Sequence, residues 1–182
     1  MGKGIEGFTV WFTGLSGSGK TTQAHLLRHA LVERGLERVE ILDGDVLRTH
    51  LWRELGFGEE DRIANIERIG WIAEMLTRNS IPTIVAAISP YREARERVRA
   101  KIKRFVEVHV DCPLEECERR DRKGLYRKAR AGEIKDFTGI DGPYEPPFNP
   151  EIRVETYLET PQQSCDRILE TLERLGVIPL WR

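Results

Sequence analysis

The chain has 182 residues, enough to bury one sizeable core. Hydrophobic residues make up 40% and charged residues 32%, which excludes a disordered or membrane-like chain, and a formal net charge of −1 gives no bulk attraction to nucleic acid or to a membrane surface. Cys112, Cys117 and Cys165 are odd in number and form no CxxC, which argues against a disulfide framework or a zinc knuckle; with no apolar leader in Met1–Gly7, the expectation is a cytoplasmic protein.

Short β-type apolar runs alternate with longer amphipathic segments, the pattern of a parallel sheet covered by helices. Phe8–Thr13 reads as a first strand. Lys20–Arg34 follows as a helix with Ala24, Leu27, Ala30 and Leu31 on one face, ended by Gly35. Val39–Leu42 is a short second strand, Val46–Leu55 a helical region, and Glu59–Asn79 a long helix with Ile63, Ile66, Ile69, Ile72, Ala73 and Leu76 at helical spacing. After Pro82, the near-continuous apolar run Thr83–Ile88 suits a strand buried on both faces. Tyr91–Lys103 is a charged helix, read as exposed with modest ion pairs, and Phe105–Val110 a fourth strand. Pro113 suits the first turn of the next helix. From about 121 to 150 the chain is basic, then rich in Gly and Pro, and reads as a lid or long functional loop. Ile152–Thr156 is a last strand and Pro161–Leu175 a last helix. The apolar run 177–181, ending in Trp181, suits docking on the core or on another subunit. Residues 1–182 are therefore expected to form a single α/β domain with a five-stranded parallel sheet flanked by helices and a basic lid segment.

The strongest local signal is Gly14-Leu15-Ser16-Gly17-Ser18-Gly19-Lys20-Thr21, a full GxxxxGK[ST] between a strand and a helix. Glycines let backbone N–H groups turn inward toward phosphate oxygens, and the following helix N-terminus adds partial positive charge. Lys20 can reach the β- and γ-phosphates, and Thr21 can place its hydroxyl on Mg²⁺. This is a P-loop, and it implies a nucleotide more firmly than it implies a reaction. A GTPase would carry NKxD, which is missing; Asp121–Gly124 fits DxxG but lies in the basic segment, far from where a switch belongs. A motor would need further domains. A small-molecule kinase using ATP remains.

Asp43-Gly-Asp45 places two carboxylates at the carboxyl end of a strand, the edge of an open α/β sheet where ligands bind. Asp45 can orient or deprotonate an acceptor hydroxyl, join a magnesium shell, or cap the following helix. Arg62, Asn65 and Arg68 share one helix face, which by itself reads as a solvated face paired with Glu59 or Glu67. Ser89 before Pro90 is placed to N-cap a helix. His25 and His29 have metal-ligand spacing but no third ligand, and read as a solvated helix face. Arg119–Lys135 carries eight Lys or Arg against two acids; a lid over polyphosphate fits it better than a nucleic-acid patch.

Taken together, GLSGSGKTT at 14–22, LDGD at 42–45, Leu55–Phe57 with Asp61-Arg62, Asn65 and Arg68, ISPYR at 88–92, VDCPLEEC at 110–117, KGLYRKARAGEIK at 123–135 and FTGIDGPY at 137–144 resemble the adenylylsulfate kinase family over nearly the whole chain. The resemblance implies MgATP-dependent phosphorylation of the 3′-hydroxyl of adenosine 5′-phosphosulfate. It implies that Gly14–Thr22 and Arg120 bind ATP. It implies that Phe57 and Phe137 sandwich the acceptor adenine, and that Asp43, Arg48, Arg62, Asn65, Arg68, Ile88, Ser89 and Lys123 surround that substrate. Lys20 and Asp45 would carry the chemistry. Ser89 matches a position considered for a phosphoserine intermediate, a relay that in-line transfer does not require. A homodimer and functional coupling to an ATP sulfurylase are further implications, with no nucleic-acid or membrane partner. Val46, Ala64, Arg122 and Gly142 depart from the family pattern, and none of them removes an expected ligand.

Overall fold

A computed structural model describes residues 6–180, so Trp181 lies outside the described residues. Five strands, β1 (Thr9–Thr13), β2 (Glu40–Asp43), β3 (Thr83–Ala86), β4 (Phe105–Asp111) and β5 (Ile152–Glu155), form one sheet in the order β2-β3-β1-β4-β5. Every pairing is parallel. Seven helices intervene among the described residues: α1 (Lys20–Glu33), α2 (Gly44–His50), α3 (Glu59–Arg78), α4 (Arg92–Lys101), α5 (Leu114–Arg120), α6 (Leu125–Arg130) and α7 (Pro161–Arg174).

The near-continuous apolar character of β1 follows from burial on both faces. Val10 and Phe12 point into a core shared with Ala24, Leu27 and Leu31 of α1 and Ile168, Leu169 and Leu172 of α7. Trp11 points the other way, among Ile66, Ile69 and Ala73 of α3 and Ala94 and Val98 of α4. Gly70 lets α3 and α4 approach closely: a Cβ there would lie 2.5 Å from Val98 Cγ2. Central β1 carries the P-loop, while β2 and β5 lie at opposite edges, so the loops after them flank the P-loop from two sides.

Four readings are corrected. The second helical region is only α2, because its chain turns out of the helix after His50. Pro113 is the N-cap of α5, not a residue of its first turn. The segment 121–150 is not simply a loop: it contains α6, and its Tyr126, Ala129 and Phe137 pack with Cys112 and Cys117 in a third apolar cluster. The helix read as exposed is anchored instead by Arg95, which is 1% exposed. The guanidinium of Arg95 donates to Glu107 of β4, to Ser89 O and to Glu145 O.

Candidate functional site

The P-loop is wedged between β1 and the chain around β4 and α5. A Cβ at Gly14 would fall 2.4 Å from Val110 O, and Gly17 adopts φ +76°, so neither position accepts a side chain without moving backbone. Lys20 opens α1 and folds back, its Nζ donating to Gly14 O (2.9 Å) and Leu15 O (2.7 Å). Burial pushes its ammonium down to about 8, opposed by the nearby carboxylate of Asp45. The loop thus holds a desolvated cation against its own carbonyl oxygens, at the start of a helix whose N-terminal partial charge also favours an anion.

A cavity of about 760 Å³ opens beside it. Ser16, Gly17, Gly19, Lys20, Thr21 and Thr22 line it from the P-loop, whereas Gly14, Leu15 and Ser18 of the same loop do not reach it. Leu15 belongs to the apolar cluster under the lid segment.

Asp43 and Asp45 both line the cavity. Asp43, not Asp45, caps α2: its Oδ1 accepts from the backbone N–H groups of Asp45 and Val46. Its Oδ2 accepts from the Thr21 hydroxyl at 2.9 Å. Asp45 is left exposed and pairs with Lys123 Nζ at 2.5 Å. That hydrogen bond raises the Lys123 pKa.

Phe57 and Phe137 line the same cavity. Arg62 links their chain segments, donating from Nε to Phe57 O (2.7 Å) and from Nη2 to Asp136 O (2.8 Å). Its guanidinium lies over the Phe57 ring at 5.6 Å from the centroid and that of Arg48 at 5.1 Å, so two cations border this aromatic side chain. Phe57 remains half exposed, while Phe137 is buried edge-on against Tyr126 at 5.1 Å. Ile88 lines the cavity from the end of β3.

Other expected site residues are not brought to the cavity wall. Arg48 is held by Leu55 O and Gly56 O. Asn65 Oδ1 accepts from Trp52 Nε1, and Arg68 pairs with Glu54 beside the Trp52 ring. Ser89 neither caps α4, whose N-cap is Tyr91, nor lines the cavity. Its Oγ accepts from Trp11 Nε1 and donates to Ala87 O, in a residue at φ 45°. With Arg95 Nη1 and Thr13 Oγ1 donating to its carbonyl oxygen as well, four contacts hold this strained turn beside Ile88.

On the lid side, Arg120 and Lys123 line the cavity. Arg120 donates to Thr156 O and Thr156 Oγ1, and Thr156 Oγ1 donates to Ser18 O. Asp121, the first residue of the DxxG string, accepts from the N–H groups of Tyr126 and Arg127 at the start of α6. Tyr126 fastens the lid segment to the P-loop through its hydroxyl on Ser16 O. Among the cavity residues that sequence reading missed are Gln23, Tyr126, Thr156 and Glu159. Thr156 was findable, since it follows β5 at the ligand edge of the sheet. His25 and His29 are exposed on α1, and among the described residues no group of three or more His, Cys, Asp or Glu could hold a metal ion.

A family model described as adenylylsulphate kinase matches residues 6–155. An adenylyl-sulfate kinase from Picosynechococcus sp. is 58% identical over 173 residues, spanning 95% of this chain and 97% of its own length. One from Rippkaea orientalis is 57% identical, covering 95% of each chain. Among solved structures, the Mycobacterium tuberculosis APS kinase in complex with AMPPNP and APS superposes with a TM-score of 0.88 at 45% identity, covering 92% of this chain and 98% of that one.

Proposed function

The chain belongs to the adenylylsulfate kinase family, and from that membership we propose that it transfers the γ-phosphoryl group of ATP to the 3′-hydroxyl of adenosine 5′-phosphosulfate, giving 3′-phosphoadenosine 5′-phosphosulfate and ADP. The observation that carries this reading is one cavity holding a P-loop cation, a carboxylate pair and two aromatic side chains.

The inward amides and Lys20 bind the ATP phosphates, and Lys20 neutralises charge on the transferring group. Arg120 adds charge from the lid side. Thr21 and Asp43 offer hard oxygen ligands side by side, which fits Mg²⁺; when bound, the ion would neutralise charge shared by the β- and γ-phosphates. Asp45 orients the acceptor hydroxyl and takes its proton, once Lys123 releases it to meet the phosphosulfate. Phe57 and Phe137 clasp the acceptor adenine, with Arg62 and Ile88 beside them. Arg48, Asn65 and Arg68 shape that side from behind, and Ser89 holds the cavity floor without any covalent step. Residues 1–182 act as one kinase domain with 121–150 as its lid. No helix of the described residues is long and apolar enough to cross a membrane. A homodimer and coupling to an ATP sulfurylase rest on family membership alone, and a cytoplasmic location rests on composition and cysteine usage.

The direct test is ADP release on adding adenosine 5′-phosphosulfate to enzyme and MgATP. Turnover on an unrelated nucleoside but none on the phosphosulfate would overturn the reading. Phe137→Ala should raise KM for the phosphosulfate at least about fivefold, one stacked face being worth about 1–3 kcal/mol. KM for ATP should move less than threefold by the same argument; equal losses for both substrates would contradict the clasp.

The lowered pKa of Lys20 gives a second expectation. Above pH 8 the empty loop holds a neutral amine, and bound phosphates favour its charged form. ATP binding therefore takes up a proton above pH 8, and affinity falls as pH rises, by at most about tenfold per unit. Calorimetry in buffers of different ionisation enthalpy measures that proton; affinity independent of pH between 7.5 and 9.5 would refute it.

A further inference from the structure

Among the described residues, two buried side-chain polar atoms have no hydrogen-bond partner, Ser18 Oγ and Gln23 Oε1. Ser18 does not line the cavity, but Gln23 does. Gln23 is 1% exposed on the first turn of α1, and its Nε2 donates to Pro161 O at 2.9 Å. That bond fixes the amide: Nε2 faces the carbonyl, and the oxygen is left without a donor. A buried carbonyl oxygen lacking a donor is costly, so a donor supplied by a ligand would be favoured there.

The sheet order says which ligand this is. Phe57 comes after β2 at one edge of the sheet, and Thr156, Glu159 and Pro161 follow β5 at the other edge. The P-loop lies between. If the acceptor purine is clasped on the β2 side, the base of the phosphoryl donor falls on the β5 side, beside Gln23. Other polar groups there are already engaged: Thr156 Oγ1 on Ser18 O, and the Glu159 carboxylate on Ser164 and Arg167.

We propose that Gln23 Oε1 accepts a hydrogen bond from the exocyclic 6-amino group of the donor's adenine, and so selects ATP over nucleotides whose purine carries a carbonyl at that position. The inference rests on the phosphoryl-transfer reading above. Hypoxanthine and guanine would set a carbonyl oxygen against the amide oxygen, leaving two acceptors facing each other. Nε2 cannot rotate in to relieve this without abandoning Pro161 O.

The test compares ATP with ITP, which differ at the 6-position. The wild-type enzyme should favour ATP at least about tenfold in kcat/KM, as expected for a site whose polar group is left unpaired by the analogue. Gln23→Met keeps the length and removes the acceptor; the ATP/ITP ratio should collapse toward unity with KM for the phosphosulfate unchanged. A ratio unaltered in the variant, or equal loss for both donors, would overturn the proposal, because loss of the Pro161 tether alone acts on both alike. Should the variant fail to fold, calorimetric titration of wild-type protein with ATP and ITP decides, and equal affinities overturn it. Wild-type protein that binds ATP in preference to ITP yet never phosphorylates adenosine 5′-phosphosulfate would defeat the proposed reaction and leave the base selectivity standing.

Discussion

Lys20→Ala is expected to lower kcat/KM by about three orders of magnitude while leaving the thermal midpoint within a few degrees of wild type. The rate loss follows from position. Lys20 is the cation at the centre of the P-loop, and phosphoryl transfer depends on neutralising charge that grows on the γ-phosphate oxygens. Removing one well-placed donor from such a site costs about 10²–10³, and an ammonium ranks at or above the top of that range. The fold should tolerate the change because two effects oppose each other. The substitution loses two hydrogen bonds to Gly14 O and Leu15 O, but it also removes a cation whose burial already pushes its pKa down to about 8. Steady-state ADP release and a thermal melt on the same sample check both halves. Turnover within tenfold of wild type would remove Lys20 from the reaction; a collapsed melt would make it a structural residue.

Elements with a periodic or compositional signal were legible in the sequence. β1, α1, α3, β4 and α7 fall within two residues of their expected limits, because each buries a full strand or a helix face. The P-loop was legible because its glycines answer a local backbone demand. What could not be read depends on contacts between distant residues. Nothing near Asp43 says that it, and not Asp45, caps α2 while accepting from Thr21. The arginines of the α3 face could not be separated by spacing alone: Arg62 reaches Asp136 O, 74 residues away, while Arg68 turns to Glu54. Likewise α6 is hidden in a basic string, since what fixes it is Tyr126 and Ala129 packing on Cys112 and Cys117. Gln23 gave no signal, because its partner is Pro161 O at the start of α7.

The same long-range logic makes Glu107→Ala the most damaging single change expected outside the cavity. Glu107 is 2% exposed on β4, and its carboxylate accepts from Arg95 Nε at 2.8 Å and Arg99 Nη2 at 3.0 Å. Truncation would leave the Arg95 guanidinium buried with its main counter-charge gone, a situation that costs about 3–5 kcal/mol. In a chain of this size that corresponds to a fall of about 10 °C in the midpoint. Glu107→Gln, which keeps an acceptor and loses the charge, should fall between the two. Replacing both partners, as Arg95→Met with Glu107→Leu, removes the stranded charge and should recover part of the loss. It should not recover all of it, because Arg95 also serves Glu145 O, which would then lack a donor, and Ser89 O, which would keep only the longer bond from the Thr13 hydroxyl at 3.4 Å. The site should feel the change as well, since Arg95 holds the carbonyl of Ser89, the strained residue that follows the cavity-lining Ile88. In Glu107→Ala at a temperature where it remains folded, KM for the phosphosulfate should therefore rise while KM for ATP stays near wild type. A double variant no more stable than Glu107→Ala, or a single variant within about 1 kcal/mol of wild type, would show that the pair is solvated and that the turn is held by other means.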